Sequence, residues 1–187
     1  MGNLIYSTIA SADGYVEDAD GAFEWAEPTD AVLRHINDLE RPIGTYLYGR
    51  RMYETMRYWE TAHTLPQQSP LSLEFARIWQ AADKVVFSKS LDTVSTARTS
   101  LERSFDADAV RRLKSGTDHD LTVGGASLAE EALTSGLVDE LQVFLVPVTV
   151  GGGKPALPVR VRLDLELLET RTFADGTVFL RYRPKLA

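Results

Sequence analysis

Short β-rich apolar runs alternate with helix-patterned runs along most of this chain, and the alternation stops only near the end. This constrains the fold more than any other feature, because repeated β-then-α order packs as a parallel sheet covered by helices. "NLIYSTIA" (3–10) reads as a buried strand closed by the turn "SADG". "TDAVLRHINDLE" sets Val32, Leu33, Ile36 and Leu39 at helical spacing behind two start signals, Pro28 and Thr29. Further strands are expected at "TYLYG", "DKVVFS", "ARTSLE", "DLTVGG" and "DELQVFLVPVTV", the last of them central. Helices are expected at "RRMYETMRYW", "LSLEFARIWQAA", "DADAVRRLKSG" with an Asp cap and a terminal glycine, and "ASLAEEALTSG". Residues 60–70 form a polar, proline-bounded loop. Late in the chain Leu163, Leu165 and Leu167 alternate with Asp164 and Glu166, and "DG" (175–176) leads into "TVFLRYRP". That pattern predicts a β-hairpin with a type I′ turn. The expected architecture is one α/β domain over residues 1–187, its mostly parallel sheet ending in a C-terminal antiparallel hairpin.

Composition narrows the function. The 187 residues carry 20 basic and 27 acidic side chains, a net charge of −7, which argues against a general nucleic-acid binder. No cysteine is present, so disulfides, thiolate zinc sites and thiol catalysis are all excluded. The three histidines, His35, His63 and His119, have no ligand spacing, and no metal site is expected. No apolar run approaches the ~20 residues of a membrane span, and the N-terminus starts like a strand rather than a signal peptide. A cytoplasmic location is the expectation.

Three strand ends carry the candidate chemistry. Gly49 closes a strand and leads into a helix that opens with Arg50 and Arg51. Cations at a helix N-terminus oppose its dipole, and an anion bound there would explain them. The plainer explanation is that both arginines reach solvent or pair with acidic residues elsewhere. "LTVGGASLAEEAL" (121–133) repeats the strand–glycine–helix order: Gly124 and Gly125 leave room for a ligand, and Ser127 can cap the helix or bind an oxygen. "VVFSKSL" sets Ser88, Lys89 and Ser90 just after a strand, a group suited to a phosphate monoester. In open α/β sheets ligands sit beyond the carboxyl ends of the strands, so a pyrophosphate fits between two such corners. The G-x-G-x-x-G fingerprint is absent, "GGGKP" (151–155) lacks the P-loop spacing, and "GASLA" is not a serine-hydrolase elbow.

The order "SADGYV", "LYGRRMYE", "VVFSKSL", "LTVGGASLAEEAL", "GLVDELQVFLVPVTVGGGKP" and "DGTVFLRY" resembles the dihydrofolate reductase-like superfamily. It is most similar to the branch holding the C-terminal reductase domain of the bifunctional riboflavin-biosynthesis deaminase/reductase. The resemblance implies a three-layer sandwich, NADPH as cofactor and a homodimer. It implies that Gly49, Arg50, Arg51 and Met52 approach the cofactor, with Arg50 on the 2′-phosphate and Ser88 and Lys89 completing that site. Gly124 and Gly125, with Ala126 and Ser127, would hold the other side of the pyrophosphate, often through a cis peptide. "WAEPTD" (25–30) is similar to the W-x-x-P-x-D of bacterial dihydrofolate reductases, which makes Asp30 a candidate proton donor; the plainer explanation is an acidic residue in a first helical turn. Asp13, in the S-x-D-G stretch of the riboflavin-type branch, is the other candidate, beside the plainer reading of an Asp-Gly turn. The strand "LQVFLVPV" lacks the threonine of folate-reducing members, and no deaminase domain with its zinc motif is seen, which puts folate reduction and the complete bifunctional enzyme outside the expectation. Lys154, Arg160 and Arg162 are candidates for a substrate phosphate, and Tyr15, Phe23, Trp25 and Trp59 for an aromatic wall. The expected activity is NADPH-dependent reduction of a small heterocycle or imine; the rival is a dinucleotide-binding or assembly module without turnover.

Overall fold

The computed structural model describes residues 1–159 and 161–185. In chain order the elements are β1 (Leu4–Ser11), β2 (Tyr15–Glu17), α1 (Asp30–Glu40), β3 (Ile43–Gly49), α2 (Arg50–Met56), α3 (Pro70–Ala81), β4 (Asp83–Phe87) and β5 (Thr99–Glu102). They continue with α4 (Ala107–Ser115), β6 (Asp120–Gly124), α5 (Ala126–Thr134), β7 (Glu140–Val146), β8 (Lys154–Pro155), β9 (Leu165–Thr172) and β10 (Val178–Pro184). Eight strands form one sheet in the order β5-β4-β3-β6-β1-β7-β10-β9. From β5 to β7 all neighbours are parallel, and β10 and β9 close the far side as an antiparallel hairpin. The strand expected to be central, β7, lies off centre; β6 and β1 occupy the middle. It also ends at Val146, because Pro147 lacks the N–H that a continued ladder would need.

Alternation along each strand builds two cores. Leu4, Tyr6, Leu47, Leu121 and Val123 face α4 and α5, packing on Val110, Leu128, Ala129 and Ala132. Ile5, Tyr46, Tyr48 and Val86 face the other way, onto Tyr53 of α2 and Phe75 and Trp79 of α3, with Leu33 and Ile36 of α1 alongside. Helices on both faces make the three-layer sandwich. Trp79 is fully buried and donates its indole N–H to the Tyr48 hydroxyl at 3.1 Å, which fixes the Tyr48 ring inside the sheet's upper half.

Local signals acted as the sequence suggests in some helices and not in others. Ser69 caps α3 by accepting from Ser72 N, and Asp106 caps α4 by accepting from Asp108 N. Thr29 precedes α1 without capping it; its hydroxyl donates to Asp175 at 2.7 Å in the hairpin loop. The same Asp175 accepts from Thr177 N, and Gly176 N donates to Phe173 O while Phe173 N donates to Thr177 O. Of the loop residues only Gly176 has positive φ. The hairpin therefore turns through three residues, a type I turn followed by a glycine bulge, and not through type I′.

Candidate cofactor and active site

The strand register brings the three junctions side by side. Gly49 pairs with Phe87 and Tyr48 with Gly124, so the ends of β4, β3 and β6 lie on neighbouring strands at one level. The glycines at the β6 junction have steric causes. A Cβ on Gly124 would stand 2.7 Å from the fixed Tyr48 ring and 3.1 Å from Met52 Cγ. Gly125 has φ +93°, a conformation that side chains disfavour, and a Cβ there would meet Met52 Cβ at 3.3 Å. The two corners thus pack against each other through Tyr48 and Met52. The Gly124–Gly125 peptide is trans, contrary to the cis bond the resemblance implied; the described residues contain no cis peptide.

Gly125 is the N-cap of α5, and no side chain among the described residues caps that helix. The expected Ser127 cap is not formed: Ser127 is exposed, and Ala126 beside it is half-buried in the first turn. The first N–H groups of a helix have no intrahelical acceptor. Those of Ala126, Ser127 and Leu128 are therefore available to an anion, with the helix dipole favouring it.

At the β3 corner the two arginines differ. Arg50 donates Nε to Glu54 Oε1 at 2.8 Å and Nη1 to Ser90 Oγ at 2.9 Å. Its Nη2 makes no hydrogen bond among the described residues, so part of the five-donor fork is free. Arg51 reaches Glu17 of β2 at 3.4 Å and is largely exposed. Ion pairing with acidic residues thus accounts in part for the arginines. The hydroxyl beside Arg50 belongs to Ser90, not to Ser88. Ser88 is buried, and its Oγ accepts from the N–H groups of Ser90 and Leu91, which shapes the loop and leaves Lys89 exposed. Ser90 belongs to the group that the sequence reading offered for a phosphate monoester, whereas Glu54 and Glu17 are the residues that it left unassigned. Only Glu54 had a signal, four residues beyond Arg50 on one helical face.

Next to these corners the sheet is open. β6 pairs with β1 only at Leu4, Ile5 and Tyr6, whereas β1 runs on beside β7 to Ser11. Beyond Gly124 the β6 side of β1 therefore has no strand partner among the described residues, and Ser7, Thr8 and Ile9 are only half-buried although they belong to a middle strand. The short pair β2 and β8, unanticipated in the sequence, lies over this end, tied down where Ala156 N donates to Gly14 O and Tyr6 OH to Ala156 O.

The two candidate acids are not brought together. Asp13 accepts from Val150 N at 3.1 Å and from Gly151 N at 2.7 Å. The neighbouring Ser11 hydroxyl, and then those two N–H groups, hold its carboxyl below the usual range against a smaller desolvation effect. An ionised acceptor that pins the loop after β7 is a poor proton donor, so the geometry argues against that role for Asp13. Asp30 is exposed and forms no hydrogen bond or ion pair among the described residues. It borders a depression of about 290 Å³ with Arg34, Ser69, Pro70, Leu71 and Glu74, none of them from the β1 opening. The aromatic wall is only partly assembled. Trp59 packs on Phe75 at 4.7 Å as a core anchor, and Trp25 donates to Ala22 O within its own loop, while Phe23 is exposed and Tyr15 half-buried. Lys154 lies in β8, Arg162 pairs with Asp164, and Arg160 lies outside the described residues. No cluster of potential metal ligands occurs among the described residues, and none of their helices is long and apolar enough to cross a membrane.

A family profile for the RibD C-terminal domain matches residues 3–179. The chain belongs to the RibD C-terminal domain family. The uncharacterized protein YyaP of Bacillus subtilis (strain 168) is 27% identical over 183 residues, covering 96% of this chain and 93% of that protein. Among solved structures, a putative riboflavin biosynthesis protein from Shewanella sp. PV-4 superimposes with a TM-score of 0.75 at 18% identity, both chains being fully covered. A pyrimidine reductase-like protein from Corynebacterium diphtheriae gives 0.72 at 13% identity, with 100% of this chain and 93% of that one covered. The Thermotoga maritima diaminohydroxyphosphoribosylaminopyrimidine deaminase/5-amino-6-(5-phosphoribosylamino)uracil reductase gives 0.68 at 16% identity, and there the RibD-type domain described here spans 98% of its own length but only 57% of the neighbour's. These likenesses establish the dihydrofolate reductase-like fold.

Proposed function

We propose that this RibD-family chain is an NADPH-dependent reductase of a small heterocyclic or imine-type substrate, of the pyrimidine-reductase kind rather than the folate kind. The observation that carries the reading is the register that sets Gly49, Phe87 and Gly124 at one level, with Arg50 and Ser90 joined across the gap. A dinucleotide fits these residues: α5 is uncapped among the described residues and Arg50 keeps a free donor edge, while Gly124 is accounted for by its packing on Tyr48 and Met52. In this reading Arg50, with Ser90 and Lys89, takes the 2′-phosphate. The backbone of Gly49–Met52 and of Gly124–Ser127 takes the pyrophosphate. NADPH, when bound, supplies the hydride. The chain's own part is to hold the acceptor against the open side of β1 near Ile9, since correct placement of reacting atoms accounts for much of such a rate. Neither carboxylate is assigned the proton in this reading, because Asp13 is engaged by the loop after β7 and Asp30 borders a depression that shares no residue with the β1 opening.

Asp13's engagement favours a second reading, an NADPH-binding or assembly module without turnover. Incubation with NADPH and a panel of pyrimidines, pterins and flavins separates the two. The reductase reading expects saturable loss of the 340 nm absorbance with a pyrimidine, whereas binding without oxidation across the panel would favour the module. The proposal extends to a homodimer through β9, the outer edge of the sheet. A single-chain mass in light scattering would remove that part.

A further inference from the structure

Arg50 is not alone at the β3 corner. Glu54 follows it by one helical turn and accepts its Nε at 2.8 Å, while Ser90 occupies Nη1. Glu54 also borders a depression of about 360 Å³ that Tyr58, Ser95 and Thr96 help to line, so its carboxylate is reached from the open side of α2 and is not sealed behind the arginine. Arg50 does not line that depression; what joins the guanidinium and the carboxylate is their 2.8 Å contact, and side by side they favour opposite substituents on a ribose. The guanidinium suits a phosphate. The carboxylate suits a hydroxyl, which donates to it, and repels a phosphate.

We propose that Glu54 sets the preference of this site between NADPH and NADH, holding Arg50 in place while opposing the charge that Arg50 attracts. The proposal rests on the reading that Arg50 meets the 2′ position of the cofactor. Wild-type protein then binds both dinucleotides, with NADPH favoured by less than Arg50 alone would allow.

Glu54→Gln separates the two duties of this residue. The amide keeps the length of the side chain, and its oxygen still accepts from Arg50 Nε, so the arginine stays oriented. Only the negative charge is lost. Removing a like charge at this range raises NADPH affinity by roughly 3- to 10-fold at low salt. The ribose 2′-hydroxyl of NADH loses a charge-assisted acceptor, which weakens NADH by roughly 3-fold. The affinity ratio therefore moves about 10- to 30-fold toward NADPH.

The experiment measures dissociation constants of NADPH and NADH for wild type, Glu54→Gln and Arg50→Ala, at 50 mM and 500 mM salt. A ratio that rises in Glu54→Gln, with the NADPH gain shrinking at high salt, supports the proposal. An unchanged ratio, or weaker NADPH binding in Glu54→Gln, overturns it and leaves Glu54 as a holder of Arg50. If Arg50→Ala loses NADPH selectively while Glu54→Gln changes nothing, the inference fails and the cofactor reading stands. If wild type binds neither dinucleotide, both fail together.

Discussion

Arg50→Ala is expected to weaken NADPH binding by roughly 10- to 100-fold and to leave NADH nearly unchanged. A charge-assisted hydrogen bond contributes ~1.5–3 kcal/mol, and each 1.4 kcal/mol is about tenfold in affinity. Structural damage is a weak competing explanation. The Arg50 side chain is half exposed, its contacts are the surface pair with Glu54 and the Ser90 hydroxyl, and such exposed pairs contribute ~0–1 kcal/mol to stability. Isothermal titration of both dinucleotides checks the result. Equal losses for the two cofactors would remove Arg50 from the 2′-phosphate.

The second large effect lies at the opposite end of the sheet and concerns stability. Half-buried Glu40 ends α1 with its Oε2 enclosed, without a hydrogen-bond partner among the described residues and with the Tyr46 hydroxyl nearby. Burial pushes its pKa up from 4.5 to about 7. The folded state therefore holds this proton more tightly than the unfolded chain does. Stability from this group falls as pH rises from 4.5 to 7 and is level above that. At 1.4 kcal/mol per unit, the fall amounts to roughly 3 kcal/mol. The carboxyls of Asp13, Glu74 and Asp175 are instead held low by hydrogen bonds, so their contribution is lost only at more acid pH and does not mask this window. Burial holds the His35 pKa below 6.5, so its contribution rises with pH inside this window and opposes the decline. The Glu40 effect is therefore read from urea unfolding as the difference between wild type and Glu40→Gln, with the variant gaining on wild type from pH 5 to pH 8 and exceeding it at pH 8. Parallel pH profiles for the two proteins would contradict this assignment.

How much of this was legible in the sequence depended on the range over which each signal acts. The β3, β4 and β6 junctions could be read because strand, glycine and helix follow one another within a dozen residues. Their adjacency could not be, since Tyr48 meets Gly124 only through long-range strand pairing. The choice between Ser88 and Ser90 was set by a turn in which one hydroxyl binds two backbone N–H groups, a pattern with no periodicity to detect. Asp13 finds its acceptor role on a loop 137 residues away, which no local motif announces. The "DG" pair signalled a hairpin, yet the turn type followed from Asp175 being held by Thr29 and Thr177. The pair β2 and β8 was missed because strands of three and two residues carry too little pattern.

The account stands on one claim: neighbouring β-to-α junctions serve a single dinucleotide. A crystal structure with bound NADPH tests it most directly. The pyrophosphate is expected between Gly49–Met52 and Gly124–Ser127, the 2′-phosphate at Arg50 and Ser90, and the nicotinamide against β1 near Ile9. A cofactor bound elsewhere, with the α5 N-terminus and the Arg50 fork untouched, would contradict the claim.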